Sequence, residues 1–340
     1  MNVHTNIPLK NYLSMKIGGQ TRFMADVTTV EELQQLVSNT KAKGIPFFIL
    51  GSGSNVIARD EEYPGLVIRV RIPGFEVIDE NATTTTIKLG AGELWDDVVA
   101  KSVDMNLIGI EAMSDIPSYC GAAPVQNIGA YGQEIADTLL SLEAYDTEAE
   151  KMVTLSNDEC KFTYRDSIFR TEARGRYIIT SITLQLFKAA PEPPFYKGVQ
   201  NYFDEHSVTI YTPQAIREAV IAIRHEKLPN PVERPNAGSF FKNAIIEQWQ
   251  LDELLRDYPD APHYEMDESR HKVPTGWLIE QCGFKGQSLH GFLVNPANAL
   301  VLINESATGY LDLSLARGEI TQAVQDRFRI NIEQEPLEIA

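Results

Sequence analysis

The sequence predicts a protein of mixed helices and strands, α+β or α/β, in three subdomains, and two features carry that reading. Helical stretches with one apolar face interleave with short apolar strands from end to end, with no Gly/Ser linker, long charge block or heptad array between them. Glycine turns repeatedly follow the strands. The 340 residues leave room for two or three domains with real cores. At 43% apolar and 23% charged residues, a disordered or fibrous chain is excluded.

Taken in order, Thr29 and Glu32 form a capping box ahead of a helix whose apolar face is Leu33, Leu36 and Val37 and which Gly44 stops. An apolar strand, residues 47–50, runs straight into Gly51-Ser52-Gly53-Ser54-Asn55. The unit nearly recurs: 87–89 reads as strand, Gly90-Ala91-Gly92 as turn, and 94–103 as helix, with Leu94, Val98 and Val99 on one side. Between 139 and 186 short strands alternate with turns, 177–180 and 182–187 among them, and Pro191-Glu192-Pro193-Pro194 marks a loop. Thr212 caps a helix with Pro213 at its first position, Ile216, Val220 and Ile223 facing one way, and Pro229 ending it. Near the end, 299–303 reads as a buried strand, 311–328 as a helix and 330–334 as an alternating last strand.

With 30 Lys+Arg against 47 Asp+Glu, the net charge is −17, so nucleic acid and anionic membranes are not expected partners. An anionic small molecule would need a local basic pocket. Cys120, Cys160 and Cys282 lack CxxC spacing, which implies no disulfide framework. The first ten residues lack the apolar core of a signal peptide, and no run approaches the ~20 apolar residues of a membrane span, so a cytoplasmic location is expected. The histidines, at 4, 206, 225, 263, 271 and 290, show neither H-E-x-x-H nor Cys/His ligand spacing, and no metal is expected. His225, beside Glu226, reads as a helix-end residue.

A Gly-x-Gly turn after a strand lets backbone N–H groups approach a phosphate where no Cβ intervenes. Neither turn here completes G-x-G-x-x-G, because Val56 and Trp95 stand at the third glycine; either alone is more simply an ordinary strand-to-helix turn. The loop 116–132 shifts that balance. It is long, nearly uncharged and rich in small residues, as though lying on something flat and apolar, with Gln126 and Asn127 supplying amide hydrogen bonds. A buried structural loop is the plainer alternative. Three such loops within the first 132 residues suit one large dinucleotide held by backbone amides.

These loops, together with 161–167, 236–243, 276–282 and Glu335-Pro336, resemble the UDP-N-acetylenolpyruvoylglucosamine reductase family, in the same order and over nearly the whole chain. One departure is Ser118, where the family usually has glycine. The resemblance implies an α+β chain: a two-subdomain FAD-binding fold of the vanillyl-alcohol-oxidase type plus a C-terminal α+β substrate-binding domain. Residues 1–72 with 329–340 would form the first flavin subdomain, 73–223 the second, and 224–328 the substrate domain. FAD is the implied cofactor and NADPH the co-substrate. The implied reaction reduces UDP-N-acetylglucosamine enolpyruvate to UDP-N-acetylmuramate for peptidoglycan synthesis, in a monomer. Flavin contacts fall on Gly51, Ser52, Gly53, Ser54, Asn55, Gly90, Gly92, Gly121, Gln126, Asn127 and Gly129. Substrate contacts fall on Tyr131, Tyr164, Tyr196, Arg224, Lys227, Asn243, Tyr264 and Glu305, with Tyr202 the rival of Tyr196 as a lid tyrosine.

Three residues are the candidates for chemistry. Ser239, in Ala237-Gly238-Ser239-Phe240-Phe241, fails G-x-S-x-G, which leaves a hydrolase triad unsupported; a serine satisfying a turn is the bland reading. The resemblance makes Ser239 the proton donor to the carbon beside the substrate carboxylate. A serine hydroxyl is a poor acid, so its partner must be a strongly basic, enolate-like species. Arg165, otherwise readable as the ion-pair partner of Asp166, offers a rigid fork of donors to a carboxylate whose charge grows. Glu335, otherwise one of a solvated acidic tail with Glu333 and Glu338, is implied to join Arg165, and Pro336 is expected to stop strand pairing after it. Two carboxylates repel, so Glu335 helps only if protonated or bridged by Arg165. Lys242 and Lys285 are further cations for a diphosphate, while Arg224 and Lys227 equally suit the basic end of a helix. Two rival functions stand beside this one: an oxidase of the same fold, and a non-catalytic nucleotide-sugar or flavin-binding module.

Overall fold

Thr29 starts α1 (Val30–Ala42) by accepting the Glu32 N–H at 3.2 Å. Glu32 turns its own carboxylate one residue further back, to the N–H and hydroxyl of Thr28, so the capping box is shifted rather than closed on Thr29. Leu33, Leu36 and Val37 are buried, as their spacing predicts. The structure, a computed structural model, describes residues 2–340 and divides into two units. Unit 1 comprises the chain up to Ile7, Thr21–Ser52 and Pro64–His225; unit 2 comprises Pro8–Gln20, Gly53–Tyr63 and Glu226–Ala340.

In unit 1, α1 accompanies a four-stranded sheet in the order Val3–Pro8, Gln20–Val27, Tyr63–Val70, Phe47–Ile49. A five-stranded antiparallel sheet follows, ordered Lys151–Ser156, Leu139–Asp146, Tyr177–Phe187, Thr84–Gly90, Phe75–Glu80. Tyr177–Phe187 is one continuous strand where the sequence suggests two. The buried hydroxyls of Thr180 and Ser181 bond the carbonyl and carboxylate of Glu143 on the neighbouring strand, so the strand runs on through polar residues although its register shifts at Thr180. The sheet packs Ile87, Leu89 and Leu184 against Trp95, Val98 and Val99 of α2 (Trp95–Asp104). In α3 (Lys197–Glu205) and α4 (Pro213–Lys227), Val199 and Phe203 share a core with Ile216, Val220 and Ile223. The Thr212 hydroxyl accepts the Ala215 N–H, the expected cap.

Unit 2 holds a sheet ordered Asn236–Ser239, Val301–Asn304, Phe292–Val294, Ser288–Leu289, and a second ordered Ala244–Glu247, Arg270–Val273, Tyr264–Glu265. Its helices are α5 (Gln248–Asp257), α6 (Thr275–Gln281) and α7 (Tyr310–Phe328). Phe240, Phe241, Leu278, Phe292, Ile320 and Val324 meet in its core. Residues 330–334 are not the expected strand. Ile330 and Ile332 alternate inward as predicted, but only Gln334 makes a bridge, to Phe241, so burial rather than a ladder explains the pattern. The last strand is Leu337–Ile339, beyond Pro336 and parallel to Val56–Ala58. A proline lacking its N–H is tolerated just ahead of a strand, which is where Pro336 lies. Glu338 is correspondingly not a solvated tail residue: it accepts from Arg59 Nε at 2.6 Å and from the Tyr310 hydroxyl at 2.7 Å. Among the described residues, no helix is long and apolar enough to cross a membrane, and no group of three His, Cys, Asp or Glu could hold a metal ion.

Candidate active site

In unit 1, Gly51 and Ser52 meet the turn 90–92 and the loop 116–132. A Cβ on Gly51 would lie 3.1 Å from that of Ala122, and one on Gly121 would lie 2.5 Å from that of Ala91. At Gly90 and Gly92 a Cβ would collide with the passing backbone of residues 71–73. This Gly-x-Gly is therefore glycine for close backbone packing, the ordinary structural reason, and that packing is what gathers the loops. The Ser52 hydroxyl donates to the Pro117 carbonyl at 2.7 Å. Ser118 keeps its loop in place through its carbonyl, which accepts the Trp95 N–H at 3.0 Å.

Arg71, unmarked by any spacing in the sequence, reaches into the same cluster. Its Nη2 donates to the Gly51 carbonyl at 3.3 Å, its guanidinium lies 3.8 Å from the centre of the Tyr119 ring, and its Nη1 is buried with no hydrogen-bond partner. Burial holds its pKa below the usual guanidinium value.

Asn127 behaves differently from the expectation that its side chain reaches a ligand. It is 1% exposed; its amide donates to Glu134 at 2.6 Å and to the Thr163 carbonyl at 3.1 Å, and its oxygen accepts the Ala136 N–H at 3.2 Å. The carboxamide is thus committed to shaping the loop. Gln126 accepts from Arg170 Nη1 at 3.3 Å. The short pairing of Gly129–Ala130 with Gln133–Glu134 places the Gly129 carbonyl 2.6 Å from Arg165 Nη2. Asn127, Tyr131 and Arg165 have φ of 46°, 48° and 55°, a left-handed conformation costing on the order of 1 kcal/mol for a residue with a Cβ. The Arg165 guanidinium stands 5.6 Å from the Tyr164 ring.

Tyr131 meets Tyr196 edge-to-face at 5.5 Å, and burial raises the Tyr131 phenol pKa. Tyr196 is 55% exposed, whereas its rival Tyr202 stacks on His206 at 4.0 Å. At the end of α4, Arg224 Nε donates to the Asp115 carbonyl at 3.2 Å and stands 3.4 Å from its carboxylate, with His225 3.5 Å from the same carboxylate.

In unit 2, Ser239 closes the strand Asn236–Ser239. Buried Asn236 builds the turn before it: its Oδ1 accepts the Gly238 N–H at 2.8 Å, and its Nδ2 donates to the carbonyls of Pro229 and Arg234. The Glu335 N–H donates to the Phe240 carbonyl at 2.8 Å, which sets Ser239 and Glu335 on neighbouring segments. Phe240 and Phe241, both fully buried, anchor that junction. Asn243 accepts the Thr275 N–H at 3.2 Å at the start of α6. Glu305 accepts from the Ser288 hydroxyl at 3.3 Å, lies 3.8 Å from Arg234 and lines an open hollow of about 500 Å³ with Arg234 and Asn304. The Lys227 carbonyl accepts from Asn295, and exposed Tyr264 has Lys272 5.8 Å from its ring. Lys242 and Lys285 stand 3.9 Å and 2.9 Å from Glu333 and Glu280. Gly53 has φ 75°, and any Cβ there would collide with the Tyr12 carbonyl. The next residues are tied down too, Ser54 accepting from the Ser14 hydroxyl and Asn55 from the Leu337 N–H at their carbonyls.

Comparison with known proteins bears on both units. A family described as an FAD binding domain matches residues 22–156, and one described as the UDP-N-acetylenolpyruvoylglucosamine reductase C-terminal domain matches residues 230–339. UDP-N-acetylenolpyruvoylglucosamine reductases of Ralstonia nicotianae and Flavobacterium johnsoniae are 37% and 39% identical, each covering 98% of this chain and 98% and 99% of their own length. That of Pseudoalteromonas translucida is 40% identical over 90% of this chain and 88% of its own. Among solved structures, the UDP-N-acetylenolpyruvylglucosamine reductase of Thermus caldophilus has the same fold, with a TM-score of 0.68 at 23% identity and 99% of both chains covered.

Proposed function

The chain belongs to the UDP-N-acetylenolpyruvoylglucosamine reductase family, and from that premise we propose that it is the FAD-dependent reductase that uses NADPH to convert UDP-N-acetylglucosamine enolpyruvate to UDP-N-acetylmuramate for peptidoglycan synthesis. The observation that carries this is identity of 37–39% over 98% of the chain with enzymes of that name. Unit 1 fits FAD: small-residue loops pack on one another, and a half-buried guanidinium among them has a buried Nη1 with no hydrogen-bond partner. Bound there, FAD supplies the hydride chemistry that no side chain offers.

The protein contributes binding, orientation and charge. Its proposed flavin contacts are Gly51, Ser52, Gly53, Ser54, Asn55, Gly90, Gly92, Gly121, Gln126 and Gly129, with Asn127 as loop scaffold. Tyr131, Tyr164, Tyr196, Arg224, Lys227, Asn243, Tyr264 and Glu305 are proposed to hold the nucleotide substrate; the Tyr131–Tyr196 contact supports Tyr196 over Tyr202 as the lid tyrosine. In this reading residues 1–72 with 329–340, and 73–223, serve the flavin, and 224–328 serve the substrate. Ser239 gives a proton to the carbon beside the substrate carboxylate, while Arg165 and Glu335 meet the negative charge that grows there. Support comes from the junction that carries both Ser239 and Glu335, and from the Gly129 carbonyl that fixes the Arg165 fork. The reading also takes the enzyme as a cytoplasmic monomer.

Ser239→Ala is the test. It should keep the flavin spectrum and anaerobic reduction by NADPH, yet lose about 10²–10⁴-fold in turnover. Unchanged turnover would remove Ser239 as proton donor. Reduced enzyme that reoxidises in air far faster than with the enolpyruvyl nucleotide would instead identify an oxidase.

A further inference from the structure

Among the described residues of unit 1, Arg71 makes no salt bridge, and Asp26 acts on it only from a distance. Nη1 is buried without a hydrogen-bond partner, and Nη2 meets only a carbonyl, that of Gly51. The acid nearest in influence, Asp26, is already bonded by Arg69 through Nε at 2.7 Å and Nη2 at 2.8 Å, and Arg69 adds a second positive charge. Arg71 is half-buried, and a guanidinium partly withdrawn from water without a carboxylate partner carries a desolvation cost that a methionine of similar length would not. The charge therefore answers to something outside the folded chain.

Its position says what. Arg71 touches all three small-residue loops: it donates to Gly51 of the first, its backbone packs beneath Gly92 of the second, and its guanidinium stacks on Tyr119 of the third. We propose that Arg71 is the positioning residue for the pyrophosphate of FAD, bracing the Gly51 turn and supplying the positive potential that the phosphates balance. The inference rests on the flavoenzyme reading above. It explains how a chain of net charge −17 holds a dianionic bridge with loops that are themselves uncharged.

The test compares FAD with riboflavin, which has the same ring and no phosphate. The full-length protein is stripped of flavin and titrated with each by flavin fluorescence, at low and high salt. Arg71→Met should weaken FAD by about 10–100-fold, leave riboflavin within twofold, flatten the salt dependence of FAD binding, and leave the flavin-free protein melting no lower than wild type. Arg71→Lys should recover part of the FAD affinity and none of the fork's specificity. Equal losses for both flavins, or unchanged FAD binding, would overturn the assignment. If Arg71→Met does not fold, Arg71→Lys decides alone: a loss confined to FAD supports the proposal, and an equal loss overturns it. Wild-type protein that takes up no FAD would overturn the flavoenzyme reading itself, whereas FAD uptake indifferent to Arg71 would overturn only this step.

Discussion

Asn127 shows what residue type conveys and what it does not. Its place in a run of small residues marks a specialised loop, but spacing cannot say whether a carboxamide faces a ligand or the protein. The answer is packing: Glu134 and Thr163 use both of its donors, and Ala136 bonds its oxygen. Asn127→Ala should therefore cost about 2–4 kcal/mol, from the buried groups left unpaired and the left-handed backbone, with Asn127→Gly about 1 kcal/mol less damaging because it relieves the backbone. Urea unfolding of both variants measures this; a loss below about 0.5 kcal/mol in the alanine variant would show that the carboxamide is not a structural group. Arg71 marks the opposite limit. No motif contains it, and only its unpartnered buried donor, visible in three dimensions, singles it out.

At the scale of elements, the starts of α1 and α4 were legible because Thr29 and Thr212 bond the first turn locally, within three residues. The continuity of Tyr177–Phe187 through Ser181, and the last strand Leu337–Ile339, were not, because their ladders depend on partners far along the chain. The hairpin of Leu139–Asp146 with Lys151–Ser156 has an electrostatic device at its turn. Asp146, 2% exposed, accepts from Arg176 and from the N–H groups of Glu148 and Ala149. These bonds, the Arg176 one foremost, lower its pKa to about 2 against the opposing effect of burial. A depressed carboxyl pKa stabilises the fold above its unfolded value, near 4, and that stability is lost as pH falls through the folded value. Wild type should thus exceed Asp146→Asn by a constant margin from pH 5 to 8. About half of that titratable margin should remain at pH 3, and almost none well below pH 2. Urea midpoints across the series test it, and a margin that does not narrow by pH 3 would place the effect in a group other than this carboxylate.

The whole molecule sets conditions that neither scale below it can. Its N-terminal third is threaded through both units, Pro8–Gln20 and Gly53–Tyr63 belonging with Glu226–Ala340, and no change of composition at those points reveals it. Ser239 and Glu335, distant in sequence, were linked only through the family pattern, since spacing along a chain holds no information about distance in space. Charge, by contrast, is a property of the entire sequence and bears directly on kinetics. NADPH and the enolpyruvyl nucleotide are both polyanions, and a chain at −17 disfavours holding two of them side by side. Alternating occupancy, in which one nucleotide leaves before the other binds, would avoid that repulsion. Initial rates with both substrates varied should accordingly give parallel double-reciprocal lines at low ionic strength. They should stay parallel as salt is raised, because the order of events is chemical even where the repulsion is screened. Lines that intersect at any salt concentration would mean that both nucleotides occupy the enzyme together, and charge would then have to be neutralised locally by cations such as Arg224 and Lys227.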